Sequence, residues 1–357
     1  MAERIAVAMS GGVDSSAAAW LMREQGYDLM GITLTLFDDT TANVPGNAQD
    51  ASDAAHVAGQ LGFPHHVLHM AEQFRSCVMD HFAASYEAGR TPNPCVVCNR
   101  WIKFGALLEQ ARILGADSIA TGHYAQIKYD MSSARWLLKK AAHPEKDQSY
   151  VLCTLSQAQL ASARFPLGGL SKGEIRQIAL EQGLVNARKR ESQDICFIPD
   201  GDYASFIRRH TGKEYPCGAF ISENGQVLGQ HSGIIGYTVG QRRGLGVSSN
   251  QGRLYVKELR VADNTIVLCD NQSLFSRSLT ASQLNWIAVA KLDTPMRLKA
   301  KVRYRQQEQP CVVEQTGEDT VRVIFDQPQR AITPGQMVVF YDGDVVVGGG
   351  VIAEGKG

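Results

Sequence analysis

Several features that define familiar classes of protein are missing from this sequence. No stretch reaches the roughly 18 consecutive apolar residues of a membrane span. The opening MAERIAVAMSGG carries charges where a signal peptide has its apolar core, so we expect a cytoplasmic protein with no membrane partner. Charge of one sign is not in excess either. The chain has 36 Lys and Arg against 36 Asp and Glu, which argues against a protein that is basic throughout.

The cysteines lack the pattern of a disulfide framework or of a zinc site. Eight of them are scattered over 357 residues without a secretory signal, which does not favour structural disulfides. A zinc ribbon needs two Cys-x-x-Cys pairs, and the chain has one, Cys95 with Cys98. We therefore expect thiols that are free, catalytic or bound to a metal.

The hydrophobic pattern predicts three domains. In residues 1–199, apolar runs such as IAVAM and LMGITLTL alternate with helical patterns, which predicts an α/β domain with a doubly wound parallel sheet. Residues 200–280 have Gly-rich turns and short alternating strands, which predict a small β-rich central domain. Residues 281–357 read almost entirely as strands, which predicts a C-terminal β-barrel, and the basic residues described below make this barrel the candidate for binding RNA.

Two local signals refine the first domain. Ser171 and Glu174 have the spacing of a capping box, so we expect a helix that starts there, ends near Gly183 and closes the domain. Residues 40–49 combine polar residues with Pro and Gly, and we expect a mobile loop.

A candidate phosphate site follows the first predicted strand. Ile5 to Met9 leads into SGGVDSS, and a helical pattern begins there. Glycines let backbone N–H groups approach an anion, and the helix N-terminus adds a positive dipole end. The string has neither the Gly-Lys-Ser/Thr of a P-loop nor the spacing G-x-G-x-x-G. Two glycines alone are typical of ordinary turns, but the complete string favours a phosphate site.

SGGVDS resembles the signature of the PP-loop ATP pyrophosphatases. These enzymes cleave ATP between the α- and β-phosphates and activate a carbonyl oxygen as an adenylate. The resemblance implies that pyrophosphate and its Mg²⁺ are held by Ser10, Gly11, Gly12, Asp14 and Ser15.

Two cysteines have surroundings that favour chemistry. Cys98 precedes a helical pattern, and a helix N-terminus with Arg100 and Lys103 in its first turn would stabilise a thiolate. Cys196 follows the cationic run Arg188, Lys189 and Arg190. Taken singly, each cysteine is more often a buried inert residue. Beside an ATP site they favour sulfur transfer, in which one cysteine carries sulfur to the activated carbon and the other resolves the persulfide.

The chain resembles the bacterial tRNA-specific 2-thiouridylase (MnmA) family over nearly its whole length. The motifs that carry the resemblance are AMSGGVDSS, GRTPNPCVVCNRWIKFGALL, ATGHYA, KDQSYVL, SQDICFI, YTVGQRRGLG, VRYRQ and PGQ, in this order. It implies a transferase that adenylates the C2 oxygen of the wobble uridine of tRNA and then transfers sulfur from a cysteine persulfide, yielding 2-thiouridine, AMP and pyrophosphate. Cys196 would bear the persulfide and Cys98 would be the nucleophile, with a transient disulfide between them. A cysteine desulfurase or a sulfur-relay protein would supply the sulfur.

The resemblance also implies three sets of contacts. The target base would lie against Asn93, Pro94 and Cys95. ATP would contact Ala8, Met9, Ser10, Gly11, Gly12, Val13, Asp14, Ser15, Leu34 and Gly122. The tRNA would contact His123, Lys146, Asp147, Gln148, Arg303, Tyr304 and Gln336.

One departure from the family keeps an alternative open. Many relatives have Asp where this chain has Cys95, and a thiol cannot match the acidity of that carboxylate. Cys95, Cys98 and Cys196 together resemble the three ligands of a 4Fe–4S cluster in other PP-loop tRNA thiolases. Residues 37–46 also lack the pattern of the relatives. Two further readings are an amide-forming ligase of the PP-loop class and a non-catalytic RNA-binding module.

Basic residues alternate in MRLKAKVRYRQ near the C-terminus. On a strand they would form one positive face that could follow an RNA backbone, although a solvated strand face is the common alternative. We therefore predict that Arg303→Ala weakens tRNA binding and lowers its salt slope by about one. The residues of this face are Arg297, Lys299, Lys301, Arg303 and Arg305.

Overall fold

The computed structural model describes residues 3–37, 47–189, 195–247 and 252–356. Most of the loop predicted at 40–49, and also Arg190, therefore lie outside the described residues. The strands are β1 (Arg4–Ala8), β2 (Asp28–Thr35), β3 (His65–His69), β4 (Ser118–Ala120), β5 (Gln126–Asp130), β6 (Arg135–Lys139), β7 (Ala163–Arg164), β8 (Gly218–Ser222), β9 (Val227–His231), β10 (Tyr255–Arg260), β11 (Thr265–Cys269), β12 (Phe275–Trp286), β13 (Met296–Lys301), β14 (Gln309–Gly317), β15 (Thr320–Arg330), β16 (Met337–Asp342) and β17 (Val345–Lys356).

The helices belong mainly to the first domain, and two of them contain wide π-helical turns. The α-helices are α1 (Val13–Glu24), α2 (Asn47–Leu61), α3 (Ala71–Phe74), α4 (Asp80–Glu87), α5 (Pro94–Val97), α6 (Leu107–Ile113), α7 (Gln157–Ala161), α8 (Lys172–Glu181) and α9 (Tyr203–Thr211). A π-helical segment, Arg75–Met79, joins α3 to α4, and another, Cys98–Ala106, joins α5 to α6. Short 3-10 turns are Pro144–Lys146, Ser149–Leu152, Ile234–Gly236, Val261–Asp263 and Gln272–Leu274.

The first domain has the parallel sheet that the sequence predicted. Its strand order is β3-β2-β1-β4-β7, and β1 pairs in parallel with both β2 and β4. The chain therefore reverses its direction of travel across the sheet at β1, and the crevice beyond the carboxyl ends of β1 and β4 is a topological switch point, where such sheets bind ligands. Ala17, Ala18 and Ala19 are fully buried, because small side chains let α1 approach its neighbours closely.

The predicted capping box is confirmed. The Ser171 hydroxyl accepts a hydrogen bond from the Glu174 N–H, and the Glu174 carboxylate accepts one from the Ser171 N–H. The helix begins at Lys172, one residue after the cap, and Gly183 lies beyond its end with a positive φ of 61°.

The central domain is a four-stranded sheet in the order β10-β11-β8-β9, with α9 beside it. The third domain is the predicted barrel. Six antiparallel strands run in the order β12-β15-β14-β13-β16-β17, and pairing of β12 with β17 closes them. The barrel strand β12 begins at Phe275, so the boundary predicted between residues 280 and 281 falls inside it.

One connection between domains had no signal in the sequence. The hairpin of β5 and β6 extends from the first domain, and β6 pairs with the barrel strand β17 through Lys139 and Val345. The barrel is therefore joined to the first domain by main-chain pairing as well as by side chains. Within the described ranges, none of the helices combines the length and apolar character needed to cross a bilayer.

Candidate active site

The candidate phosphate loop, Ser10 to Ser15, lies between β1 and the first turn of α1. Gly12 caps α1 in an extended conformation, and Gly11 has a φ of 68°, which glycine adopts without strain. The Ser15 hydroxyl donates to the Gly12 carbonyl at 3.0 Å and accepts from the Ser10 N–H at 3.2 Å. These bonds fold the loop back on the first turn of α1, so that its N–H groups face the end of the helix where an anion is favoured.

Two other residues that the family resemblance implies as ATP contacts are distant from the loop in the chain and lie at the ends of strands. Leu34 lies in β2 and Gly122 just beyond β4, so both lie at the carboxyl edge of the sheet. Gly122 contacts the loop closely, since a Cβ there would lie 2.9 Å from the Asp14 carbonyl carbon and the Ser15 nitrogen. Among the predicted ATP residues, Ser10 is exposed and Gly12, Asp14 and Gly122 are half-buried, whereas Met9, Gly11, Val13 and Ser15 are buried.

Several residues that the sequence reasoning missed hold this loop. Asp14 Oδ1 accepts hydrogen bonds from the Tyr124 hydroxyl at 2.7 Å and from Lys172 Nζ at 2.6 Å. Asn186 donates to loop carbonyls, and Lys189 pairs with two carboxylates of α2. Tyr124 stands inside the quoted motif ATGHYA and could have been found there. Lys172 and Asn186 have no local signal, because only folding brings α8 and its following segment to the loop.

The helix that carries Cys98 begins earlier than predicted. Asn93 caps it by accepting from the Cys95 N–H at 3.1 Å, Pro94 occupies the first turn, and Cys98 opens the π-helical segment. The prediction that Cys98 lies at a helix N-terminus is therefore wrong. Proline fits the first turn of a helix because its missing N–H would have no partner there, and this favours a start at residue 94.

The thiols are also less acidic than predicted. Burial raises the pKa of Cys98 to about 11 and that of Cys196 to about 12, and it raises the pKa of Cys95 as well. Cys95 and Cys196 are nevertheless accessible to solvent. These thiols are mainly neutral at pH 7, so sulfur chemistry would need a proton acceptor or a neighbouring cation.

Lys103 is the cation next to this group of thiols. Its charge lowers the pKa values of Cys95, Cys98 and Cys196 against the effect of burial. In a π-helical segment the hydrogen bonds run over five residues, so Lys103 lies one wide turn beyond Cys98 on the same face. Arg100, the other predicted cation, instead lies over the Trp101 ring at 4.9 Å from its centroid.

The three cysteines are neighbours, but they do not form a metal site in this arrangement. The charges of Cys95 and Cys98 both raise the pKa of Cys196, which places the three thiols in one region. Across the described ranges, no three His, Cys, Asp or Glu side chains are grouped as metal ligands. The donor arrangement therefore does not fit a cluster ligated by all three cysteines, and all eight cysteines are unpaired.

Most residues expected to contact tRNA make internal contacts here. His123 is buried, and burial keeps its pKa well below the usual value; its ring shares a hydrogen bond of 2.7 Å with Thr121. Asp147 is buried and accepts from the N–H groups of Ala141 and Ser149. Gln148 accepts from the Tyr124 N–H at 2.9 Å. Lys146, in the turn before them, is half-buried.

Gln336 contacts the segment that leads into the helix beginning at Pro94, which carries Cys95 and Cys98 and is called the cysteine helix below. Its side-chain amide donates to the Thr91 carbonyl at 2.8 Å, and the Thr91 N–H donates to the Pro334 carbonyl at 2.8 Å. The Thr91 hydroxyl donates to Thr238 of the central domain at 3.2 Å. Thr91 therefore joins all three domains two residues before Asn93, and it brings the segments GRTPNP, YTVGQ and PGQ together in space.

The single positive face predicted for residues 297–305 is wrong. Strand β13 ends at Lys301, and only Arg297, Lys299 and Lys301 share its outer face. Arg297 pairs with Asp326, and Lys301 lies 3.7 Å from Asp147. The strand stops there because the chain turns through residues 302–306 before β14.

The two residues after the strand have different surroundings. Arg303 is half-buried, and its Nη2 donates to the carbonyls of Val239 and Ala331 and to the Thr333 hydroxyl. Tyr304 is 39% exposed, and besides burial the charges of Asp147 and Cys95 raise its pKa. Tyr304 therefore lies near Cys95 with an open ring, whereas the Arg303 side chain joins the central domain to the barrel.

Comparison with known proteins covers the whole chain. Residues 3–200 match the family described as tRNA methyl transferase HUP domain, residues 204–270 its PRC-barrel domain, and residues 276–352 the aminomethyltransferase beta-barrel domain. The tRNA-specific 2-thiouridylase MnmA of Clostridioides difficile (strain 630) is 44% identical over 358 residues, which cover 99% of each chain. The protein of the same name from Acetivibrio thermocellus is 47% identical and covers 98% of this chain and 99% of its own.

The similar solved structures are much more distant. The U34-tRNA thiolase NcsA from Methanococcus maripaludis, solved with its 4Fe–4S cluster, is 18% identical with a TM-score of 0.34. It covers 59% of this chain and 70% of its own. At this distance the similarity carries no argument about the site.

Proposed function

The chain belongs to the tRNA-specific 2-thiouridylase family, and from this membership we propose the residues and steps by which it converts a tRNA uridine to 2-thiouridine. It is a sulfur-transferring transferase that uses ATP. One observation supports our assignment: the first domain contains both of the sites that the reaction needs. These are a candidate phosphate loop at the switch point of the parallel sheet, and three neighbouring thiols with Lys103 beside them.

The first step activates the base. The loop from Ser10 to Ser15 would bind the phosphates of ATP with its N–H groups, and the C2 oxygen of the wobble uridine would attack the α-phosphorus. The bond between the α-phosphorus and the bridging oxygen breaks, and pyrophosphate leaves. Asn93, Pro94 and Cys95 would lie against the base, at the start of the helix that carries Cys98.

The second step transfers sulfur. The terminal sulfur of a persulfide on Cys196 would attack C2, and the C2–O bond breaks so that AMP leaves with the oxygen. The Cys98 thiolate then attacks Cys196 Sγ, the S–S bond to the base breaks, and 2-thiouridine is released. The Cys98–Cys196 disulfide that remains is reduced by two external thiols, which leave joined as a disulfide, and a persulfide donor such as a cysteine desulfurase or a sulfur-relay protein recharges Cys196.

The residues of the loop fit a Mg²⁺ ion bound together with ATP. Asp14 Oδ1 is occupied by Tyr124 and Lys172, whereas its other oxygen has no hydrogen bond to any residue in the described ranges. One carboxylate oxygen next to phosphates is the usual protein contribution to a Mg²⁺ site. When bound, the ion would neutralise charge on the phosphates. We also propose a cytoplasmic location, where free thiols and tRNA are both present.

A single assay tests these assignments. Enzyme purified without oxygen is incubated with unmodified tRNA, ATP and a persulfide donor, and 2-thiouridine is measured by mass spectrometry before and after iron is removed. We expect formation to survive iron removal and to be lost in Cys98→Ser and in Cys196→Ser. A hydroxyl at position 196 cannot carry sulfane sulfur, and a hydroxyl at position 98 cannot cleave the S–S bond to the base. Both variants should still bind ATP.

Other outcomes would contradict particular parts of the proposal. Normal thiolation by either serine variant removes that cysteine from the mechanism. Activity that requires iron overturns the persulfide route in favour of cluster chemistry. If AMP forms only with ammonia and no thiolated base appears, the chain is an amide-forming ligase. If tRNA does not stimulate AMP release at all, it is an RNA-binding module.

A further inference from the structure

Asn186 makes an unusual set of contacts at the phosphate loop. It lies between α8 and Cys196, and its side chain is only 3% exposed. The amide nitrogen donates to the Gly11 carbonyl at 3.1 Å, to the Gly12 carbonyl at 3.3 Å and to the Ser16 hydroxyl at 2.7 Å. The amide oxygen is buried, and among the residues that the structure describes it has no hydrogen-bond partner. Leaving a buried acceptor unsatisfied costs free energy. The side chain is nevertheless held in this position, where its amide nitrogen donates to two loop carbonyls.

The two carbonyls fix the orientation of the loop peptides. The Gly11 carbonyl belongs to the same planar peptide as the Gly12 N–H, and the Gly12 carbonyl to the same peptide as the Val13 N–H. In a trans peptide these two groups point in opposite directions. Donors behind the loop therefore turn its N–H groups toward the anion side at the N-terminus of α1.

The same segment supports the loop at a second point. Lys189 donates to Asp50 and to Asp53 at 2.6 Å each, and its hydrogen bond lowers the pKa of Asp53. Asp50 in turn packs against the loop, because a Cβ on Gly11 would lie 2.4 Å from the Asp50 carbonyl oxygen. Residues 186–189 therefore hold both the carbonyls of the loop and the helix that packs against it.

We propose that Asn186 is a positioning residue for ATP, which orients the Gly11–Gly12 and Gly12–Val13 peptides for binding phosphate. The inference rests on the proposed function of the loop. Its ligand class is a nucleoside triphosphate, and Asn186 acts through the loop rather than by touching the ligand.

Asn186→Asp tests this role with almost no change of shape. A carboxylate offers no donor when ionised and would repel both carbonyls. The probe is α,β-methylene-ATP, whose α–β linkage resists cleavage, and its Kd is measured by calorimetry without tRNA. We expect the Kd to rise at least tenfold. In turnover assays the KM for ATP should rise with a smaller change in kcat, since an interaction made equally in ground and transition states is lost.

Asn285→Asp is the matched control. Asn285 also donates to two carbonyls, those of Cys153 and Leu155, at 2.8 and 3.0 Å, but it lies in the barrel strand β12. We expect this variant to lower Tm while it leaves the Kd of the analogue within about twofold of wild type. A purely structural role of Asn186 would lower kcat through a smaller folded fraction and leave KM unchanged.

The outcomes are separable from those of the proposed function. Wild-type protein that fails to bind α,β-methylene-ATP overturns the phosphate site itself, whatever Asn186 does. Wild-type binding with an unchanged Kd in Asn186→Asp overturns the positioning role alone. If Asn186→Asp does not fold, Asn186→Ala removes the donor without adding charge, and an unchanged Kd there is equally decisive against the proposal.

Discussion

At the scale of single residues, burial and the charge of Lys103 have opposite effects on the pKa values of Cys98 and Cys196. Burial holds the Cys98 and Cys196 thiols in their neutral form, and Lys103 opposes it on both. The raised pKa of Cys98 also has a consequence for stability. A buried neutral thiol contributes stability that is complete below the pKa of the unfolded thiol, about 8.5, and is lost as pH rises through the folded value of about 11.

Lys103→Met should make the thiols harder to ionise. We expect alkylation of Cys98 and Cys196 by iodoacetamide to become roughly tenfold slower at neutral pH, because one nearby cation shifts a pKa by about one or more. The rate is measured between pH 6 and pH 11 for each cysteine peptide by mass spectrometry, with the exposed Cys217 as an internal reference.

Two variants of the same helix serve as controls for Lys103. Lys103→Arg retains the charge and should restore the alkylation rate. Arg100→Met removes a cation that lies over Trp101 and should leave the profiles of Cys98 and Cys196 unchanged. If Lys103→Met leaves the rates at wild-type values, its charge has no role at the thiols.

At the scale of elements, the proposed ATP site depends on close approach between strand ends and α1. The turn after β4 meets the first turn of α1 at Gly122, where there is no room for a side-chain carbon. The π-helical segment likewise brings two side chains together, because its wide turn places Lys103 on the same face of the helix as Cys98. Both features are small local departures from regular geometry that bring distant chemistry together.

Gly122→Ala should displace the phosphate loop. A Cβ at this position would lie 2.9 Å from backbone atoms of Asp14 and Ser15, and backbone cannot move aside as a flexible side chain can. Overpacking of this kind costs about 1–3 kcal/mol, so we expect the Kd for α,β-methylene-ATP to rise about tenfold. Gly169→Ala is the control, since nothing lies within 4 Å of a Cβ there. Equal affinity in the two variants would contradict the close contact.

At the scale of the whole molecule, the three domains meet at the segment before the cysteine helix. Thr91 contacts Thr238 of the central domain and the Pro334–Gln336 turn of the barrel. Arg303 adds a second junction through carbonyls of Val239 and Ala331. A substrate that binds to both later domains could therefore shift Thr91, and with it the position of Asn93 and Cys95.

Two substitutions, Arg303→Ala and Arg305→Ala, should distinguish an arginine that joins domains, Arg303, from one that contacts RNA, Arg305. Arg303 donates to three oxygens, so its loss should lower Tm by roughly 5 °C. Arg305 is exposed, and its loss should reduce the salt slope of tRNA binding by about one without a change in Tm. Tm is measured by calorimetry and the slope by filter binding. A lower slope with unchanged Tm for Arg303→Ala would restore the role first predicted for it.

The sequence by itself determined the domain classes, the phosphate loop and the cysteines, because each has a local pattern: alternating apolar runs, SGGVDSS after a strand, and CVVC with its flanking motifs. Gly122 was expected near the loop only through the resemblance to the family, and its close approach to Asp14 is a feature of the folded chain. Only the tertiary structure decided the burial of the Cys98 and Cys196 thiols, the end of β13 at Lys301, and the contacts of Asn186 with the loop. These depend on desolvation and on hydrogen bonds between residues up to 175 positions apart, which no local pattern encodes.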